Sequence, residues 1–375
     1  MLKFVAACAA AAALLWLSYT LIRARRALSR QETASAEKSN DEKRDKITIT
    51  PLEGLVWEKE KPKQLRPFKS TYHITMALQT DTPQDLITID RDYLDRVTLR
   101  RALLASHPAT VHGCTPHGAA AVRELYTYLL GSYLPQRYPG IFQLFTPDDD
   151  LDADAGAGAE PAPRLMLRNT ATGATHPATP PSATDHDFFD PEAALRVLGE
   201  TVEEDLFLLR ETPLGHESTA FVCCFPAGFD PSEKLGRLLS EIHRPVPSYD
   251  KIAKSMERFF GRLEWAVQTH DQLFNCKANH KLVNEDSYTP DDEAVDISKT
   301  FVRIELQTLT RLPETRAILF SFKTYMYPVK QLKDEGGGPA FADAVEGLAS
   351  GNAPGMRFYK GSVRWGKVVC EYLRS

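Results

Sequence analysis

Four motifs that would each point to a function at once are missing from these 375 residues. No GxGxxG occurs, which leaves a Rossmann-type dinucleotide site without support. No GxSxG occurs, so there is no hydrolase elbow, and no HExxH, so there is no zincin helix. The six cysteines (Cys8, Cys114, Cys223, Cys224, Cys276 and Cys370) contain no CxxC spacing, which removes the usual ligand pattern for zinc or an iron–sulfur cluster. A thiolate-ligated haem of the cytochrome P450 kind needs a Cys in a Gly-flanked loop, and Cys370 lacks one. Scattered thiols suit a reducing compartment, and nothing supports a disulfide framework. The Gly336–Gly338 run is not followed by Lys-Ser/Thr, so it is no phosphate loop. Net charge is -5 and dense basic runs are absent beyond the N-terminal flank, which argues against a nucleic-acid partner.

What is present begins with Phe4–Ile22, 19 apolar or weakly polar residues without a charge, followed at once by Arg23, Arg25, Arg26 and Arg30. That length spans a bilayer. A cleaved signal peptide would carry its charge before the apolar core and a small-residue site after it. Residues 1–30 therefore read as a transmembrane signal anchor whose C-terminal side faces the cytosol. The alternatives are an Ala-rich cleaved leader or an Arg-rich mitochondrial presequence. The anchor fits the endoplasmic reticulum and the mitochondrial outer membrane equally well. Residues 31–50 are a polar linker, and the folded part, 51–375, begins near Pro51. Within it, 147–187 is acidic and Ala/Gly-rich, then Thr/Pro-rich, and reads as a disordered insertion. His176 and His186 fall there and are discounted.

Element signals elsewhere give an α+β chain. Asp92–Leu104 and Ala119–Leu134 read as helices, the second with Val122, Leu125, Leu129 and Leu130 on one face. Leu86–Asp90 is a short strand candidate. Asp190-Pro191 is a cap followed by Pro at the first helical position, opening a helix through Leu198. Leu206–Leu209 and Thr219–Phe225 read as paired strands. Trp265–Asn275 is a strand or a short helix, and Ala340–Ala349 is an amphipathic helix. His107, His112, Cys114 and His117 lie in loop-like sequence at a spacing that matches no ligand template.

The stretch Phe229–Gly261 carries the most specific signal. Asp230-Pro231-Ser232-Glu233 is a helix start, and Leu235, Leu238, Leu239 and Ile242 then form one stripe. Pro245 ends the helix at about His243, because the residue before proline is pushed out of the helical region. Ser248 caps a second helix with Ile252, Met256, Phe259, Phe260 and Leu263 on its apolar face. A His held at a helix end by a rigid exit suits a metal or haem ligand. It equally suits a His placed at the negative end of a helix dipole. Phe301–Leu309 alternates cleanly, with Val302, Ile304 and Leu306 on one face and Arg303, Glu305 and Gln307 on the other. Ala317–Tyr327 is its partner strand. The polar face turns to water or lines a ligand pocket.

Four stretches carry a resemblance to a known family: Phe68–Tyr93 (FKSTYHITMALQTDTPQDLITIDRDY), Glu124–Phe142 (ELYTYLLGSYLPQRYPGIF), Lys234–Tyr249 (KLGRLLSEIHRPVPSY) and Phe301–Val329 (FVRIELQTLTRLPETRAILFSFKTYMYPV). The last two are the specific ones. The chain resembles, over about residues 60–365, the haem-dependent oxidative N-demethylase alpha-subunit-like family in its fungal, HRQ-type form. Where that family has an R-x-N-W motif, this chain has QTHDQLF, a departure that puts the function of that region in doubt. The resemblance implies a haem-binding, PAS-like antiparallel sheet with flanking helices. It implies haem b (iron) and O2-dependent oxidation of a small amine or metabolite, with electrons from a separate NAD(P)H-dependent reductase. It makes His243 the candidate haem ligand, with His216 and His270 next, and Leu239 and Arg303 candidate cofactor contacts. Arg303 and Gln307, then Glu305, become candidates for the catalytic polar wall. A fixed cation and an amide can stabilise charge on bound oxygen. The alternative is a non-catalytic haem or PAS-like sensor or binding module at a membrane, since fold does not fix function.

Overall fold

Eleven strands organise the described part of the chain: β1 (His112–Cys114), β2 (Phe142–Phe145), β3 (Met166–Asn169), β4 (Thr175–Pro177), β5 (Ser182–Ala183), β6 (Phe188–Phe189), β7 (Asp205–Thr212), β8 (Gly215–Val222), β9 (Leu263–Gln268), β10 (Phe301–Arg311) and β11 (Ile318–Pro328). The computed structural model describes residues 49–74, 82–147, 165–180, 182–183, 188–251, 263–276, 295–353 and 355–375. Thr50–Ser375 form one compact unit. The expected span Phe4–Ile22, its arginines and most of the linker lie outside the described residues. Among the described residues no helix is long and apolar enough to cross a membrane.

Six strands make the main sheet in the order β1-β8-β7-β11-β10-β9, every neighbouring pair antiparallel. The five from β7 onward lie in the order 2-1-5-4-3. With helices flanking the sheet, the fold is α+β. Period-two alternation gives the plate two different faces. Val302 and Ile304 of β10 stand opposite Val267 and Trp265 of β9 and Tyr327 and Tyr325 of β11. These six are buried in one core with Phe341, Val345 and Leu348 of the Gly338–Ala349 segment, and Val369 and Leu373 of the helix Ser362–Arg374. The other face carries Arg303, Glu305 and Gln307 beside Phe320 and Phe322, whose neighbours across β7 and β8 are Phe207 and Phe221.

The helices follow local chemistry. Asp190 Oδ1 accepts from the Glu192 and Ala193 backbone N–H groups and so starts Pro191–Thr201. Ala119–Tyr128 continues through a π turn, Leu129–Tyr133, into Leu134–Arg137. The wider turn precedes Pro135, whose ring would clash with the carbonyl four residues back in a regular helix.

Some expectations need correction. Leu86–Asp90 is not a strand: the Thr88 N–H donates to Glu204 Oε1 at 2.9 Å and the Ile87 carbonyl accepts from the Tyr138 hydroxyl at 2.6 Å, so side chains replace a ladder. Part of 147–187 is built into the fold. β3 joins β2 and β4 around a turn in which Asn169 Oδ1 accepts from the Ala171 and Thr172 N–H groups, and Leu167 is 1 % exposed. The acidic part, 148–164, lies outside the described residues. The helix expected from Pro231 to His243 is broken. A 3-10 turn, Pro231–Lys234, ends before Gly236 at φ 74°, and a new helix spans only Leu239–Ile242. Gly236 takes a left-handed conformation that costs other residues 1 kcal/mol or more, and its N–H donates to the Ser218 carbonyl of β8 at 2.7 Å.

Candidate functional site

The segment from Gly236 to Lys251 links β8 to the core that holds Trp265 of β9. At its start, the Ser218 N–H of β8 donates to the Arg237 carbonyl at 2.9 Å, and Leu238 forms a bridge with Glu217. At its end, Pro247 packs against Gly355, the Lys251 ammonium donates to the Asn352 carbonyl, and Val246 and Tyr249 join the core containing Trp265 of β9. β8 and β9 are separated by β7, β11 and β10. The segment is therefore a strap tied at both ends, and Pro245 and Pro247 stiffen its later half.

His243 caps the strap's short helix. Its backbone N–H and its ring both reach the Leu239 carbonyl, the ring Nδ1 at 2.9 Å. A carbonyl only accepts, so Nδ1 carries the hydrogen, and in the neutral ring the lone pair is on Nε2. Tyr249 stacks on the imidazole at 5.3 Å with an interplanar angle of 8°. Leu239 is 4 % exposed. The second apolar face, Ile252 to Phe260, lies outside the described residues.

The polar row of β10 is buried at Arg303 and half-buried at Glu305 and Gln307. Arg303 is 1 % exposed, and its guanidinium donates to the Phe225 carbonyl, to the Leu273 carbonyl at 3.2 Å and to Thr324 Oγ1 at 3.1 Å. Its Nε lies 3.5 Å from Glu305 Oε1, and Gln307 Nε2 donates to Glu305 Oε2 at 3.2 Å. Burial lowers the pKa of Arg303 and raises that of Glu305, because both lose hydration of the charged form. Beside this row, Phe207 stacks on Phe221 (5.6 Å, 18°) and on Phe322 (6.1 Å, 17°), giving a flat aromatic surface.

The structure thus groups Arg303, Glu305 and Gln307 on one sheet face and places His243 and Leu239 on the strap. His216 is a buried residue of β8. His270 Nδ1 accepts from the Gln272 N–H at 3.2 Å, and burial lowers its pKa. Among the described residues no group of three or more His, Cys, Asp or Glu side chains could hold a metal ion, the His107–His117 stretch included. Cys114, Cys223, Cys224 and Cys370 are free thiols.

Sequence reasoning missed two buried ionic groups. Lys323 meets Glu203 Oε2 at 2.5 Å, Asp90 Oδ2 at 2.9 Å and the Thr88 carbonyl at 2.8 Å. Arg100 meets Asp205 Oδ1 at 2.5 Å with neither side chain exposed. The available signal was a charge embedded in an apolar strand, Lys323 in ILFSFKTYMY and Asp205 before LFLL.

Residues 77–370 match the family described as haem-dependent oxidative N-demethylase, alpha subunit-like. The chain belongs to this family. The matched range takes in the whole strap and strands β7 to β11. The haem-dependent oxidative N-demethylase alpha-subunit-like family implies haem, and the residues present fit that group. A ring held by Nδ1–H to a carbonyl presents Nε2 in the state that ligates a metal, the usual way a second partner orients such a His. Phe207, Phe221 and Phe322, with Phe320 packed against them, form a buried apolar cluster of the kind that walls a porphyrin site.

Proposed function

We propose that this family member is a membrane-tethered oxidoreductase that holds haem b through His243 and oxidises a small amine or metabolite, N-demethylation included. It would use O2 and electrons from a separate NAD(P)H-dependent reductase. The observation that carries the reading is the Nδ1–Leu239 bond, which fixes the imidazole tautomer before any ligand arrives. The PAS-like part of the reading is supported by the antiparallel sheet in 2-1-5-4-3 order with flanking helices. The anchor is supported by the uncharged run Phe4–Ile22 and the arginines after it. On that reading the domain faces the cytosol, at the endoplasmic reticulum or the mitochondrial outer membrane.

Bound haem would supply the oxygen chemistry. The protein's own residues set the surroundings. Arg303 is a fixed cation, locked by Phe225, Leu273 and Thr324, and it biases the polar face towards anionic character in whatever binds there. Gln307 adds an amide that donates to Glu305 and orients that carboxyl. The phenylalanines exclude water.

Purified protein supplied with haem should show a Soret band, and His243→Ala should lose it. Full haem retention by His243→Ala would overturn the assignment. One observation favours a non-catalytic haem module instead: Arg303 is committed to backbone carbonyls. Reductase-dependent turnover of secondary amines separates the two, and a haem-loaded chain that stays inactive would favour the module.

A further inference from the structure

Glu305 has a like-charged neighbour. In the β9–β10 pair it stands directly opposite Glu264, on the same face of the sheet. Opposed residues of an antiparallel pair have Cβ atoms about 5 Å apart, and like charges there repel. The two carboxylates live in different surroundings. Glu264 is 27 % exposed on the sheet's edge strand, and its Oε1 meets the ammonium of Lys360, which is 1 % exposed. Lys360 is itself locked. It also donates to the Trp265 carbonyl and lies over the Tyr72 and Trp265 rings at 5.7 and 4.9 Å. Glu305 is 13 % exposed. Among the described residues its cation is Arg303, which stays 3.5 Å away because carbonyls and Thr324 claim the guanidinium, and Glu305 Oε1 and Arg303 Nε are both left without a hydrogen bond. Among the described residues, the remaining charge that bears on Glu305 is Asp205, which is paired with Arg100.

We propose that Glu264 and Glu305 share one proton, with Lys360 keeping the charge on Glu264 and the proton on Glu305, and that Glu305 supplies protons to the polar face of β10. This rests on the proposed function. Demethylation of an N-methylamine with O2 and two electrons from the reductase gives the demethylated amine, formaldehyde and water, and it takes up two protons. Each proton leaves the Glu305 carboxyl oxygen for an oxygen of the reaction. Glu264, the water-facing member, returns a proton from solvent to Glu305. Burial and the adjacent Glu264 charge both raise the affinity of Glu305 for its proton. Glu264 is a positioning residue and Glu305 the donor.

The test is an infrared titration of the whole chain, without and with haem, over roughly pH 5 to 9, following the protonated carboxyl band. Wild type should keep a protonated carboxyl at neutral pH beside that of Glu203, and Glu305→Gln should remove it while leaving the Glu203 band in place. Glu264→Gln removes the neighbouring charge, so it should lower the midpoint by roughly one pH unit. The alkaline limb of haem-loaded turnover should move with it. Should Glu305→Gln fail to fold, carboxyl carbon shifts in glutamate-labelled wild type and Glu264→Gln report the same titration. A Glu305 carboxyl ionised throughout, or a midpoint indifferent to Glu264→Gln, overturns the proposal. Neither result depends on haem: a chain that takes no haem but titrates as described sinks the oxidase reading alone.

Discussion

Asp205 receives four donors inside the protein. Oδ1 takes Arg100 at 2.5 Å and the Cys224 N–H at 2.7 Å; Oδ2 takes the Phe225 N–H at 2.9 Å and the Cys223 thiol at 3.4 Å. The same arginine donates to the Gly199 and Glu203 carbonyls, so one ion pair joins the end of the helix Pro191–Thr201 to the first strand of the five-strand core. The Cys224 thiol, buried beside this carboxylate, is pushed up to about 12, so it stays protonated and unreactive. Removing one member of a fully buried pair strands the other charge. Asp205→Ala should therefore cost about 3–5 kcal/mol in denaturant unfolding, with Asp205→Asn milder because it still accepts from the Cys224 or Phe225 N–H. A loss below about 1 kcal/mol would show that Arg100 finds water instead. Glu203 behaves differently. Burial raises it from 4.5 to about 7, with Asp90 and Glu204 adding to the rise and Lys323 opposing it. The folded state thus holds a proton that the unfolded chain has released. Stability is greatest below about pH 4.5 for this group, falls as pH rises towards 7, and then levels off. Glu203→Gln should flatten that segment of the stability–pH curve, and an unchanged slope would assign the dependence to another group.

At the scale of elements, close backbone approach does what side chains cannot. Gly351 has φ 99°, and a Cβ there would lie 2.0 Å from the Tyr72 carbonyl oxygen. The segment Ser70–Tyr72 is thereby pinned to the turn after the Gly347–Ala349 helix, where the Tyr72 N–H also donates to the Gly347 carbonyl at 3.2 Å. Gly351→Ala meets both strain and collision. We expect a loss of about 2 kcal/mol or more, read from the unfolding midpoint, whereas a neutral result would mean that this junction yields freely. How much of this could be read in advance depended on whether the cause was local. β10 was legible because alternation is local, and the helix at Asp190 because its cap lies within three residues of its donors. Leu86–Asp90 carried the right composition, but its backbone partners come from Tyr138 and Glu204, more than 45 residues away. The stripe Leu235 to Ile242 had helical period, yet Gly236 and the bridge from Leu238 to Glu217 turned it into a strap. The polar row was visible as a row. That its arginine would be occupied by the Phe225 and Leu273 carbonyls depended on folding alone.

For the molecule as a whole, the main sheet is a plate whose two faces are used differently. One is filled by the C-terminal helices. The other bears the aromatic cluster and the polar row. The family match begins at residue 77, but the compact unit begins at Thr50. The intervening stretch is tied in at several points. The Leu52 N–H donates to the Arg137 carbonyl at 2.8 Å, the Glu60 carbonyl accepts from the Arg91 N–H at 2.9 Å, the Tyr327 hydroxyl donates to the Lys63 carbonyl, and Arg66 lies over the Tyr327 ring at 4.4 Å. Phe68 packs on Phe341 at 4.5 Å between ring centroids. These contacts close the edges of the core behind β10 and β11. A chain of residues 50–375 should then unfold with the same midpoint and cooperativity as the full chain, whereas 77–375 should lose about 3 kcal/mol or more through Phe68 alone. The same pair of chains tests the anchor. If Phe4–Ile22 spans a bilayer, the full chain stays with membranes after salt and alkaline washing, and residues 50–375 wash free with their melting curve intact. Release of the full chain by salt alone would reduce the arginine flank to a surface contact and remove the tether from the proposed function without touching the assignment of His243.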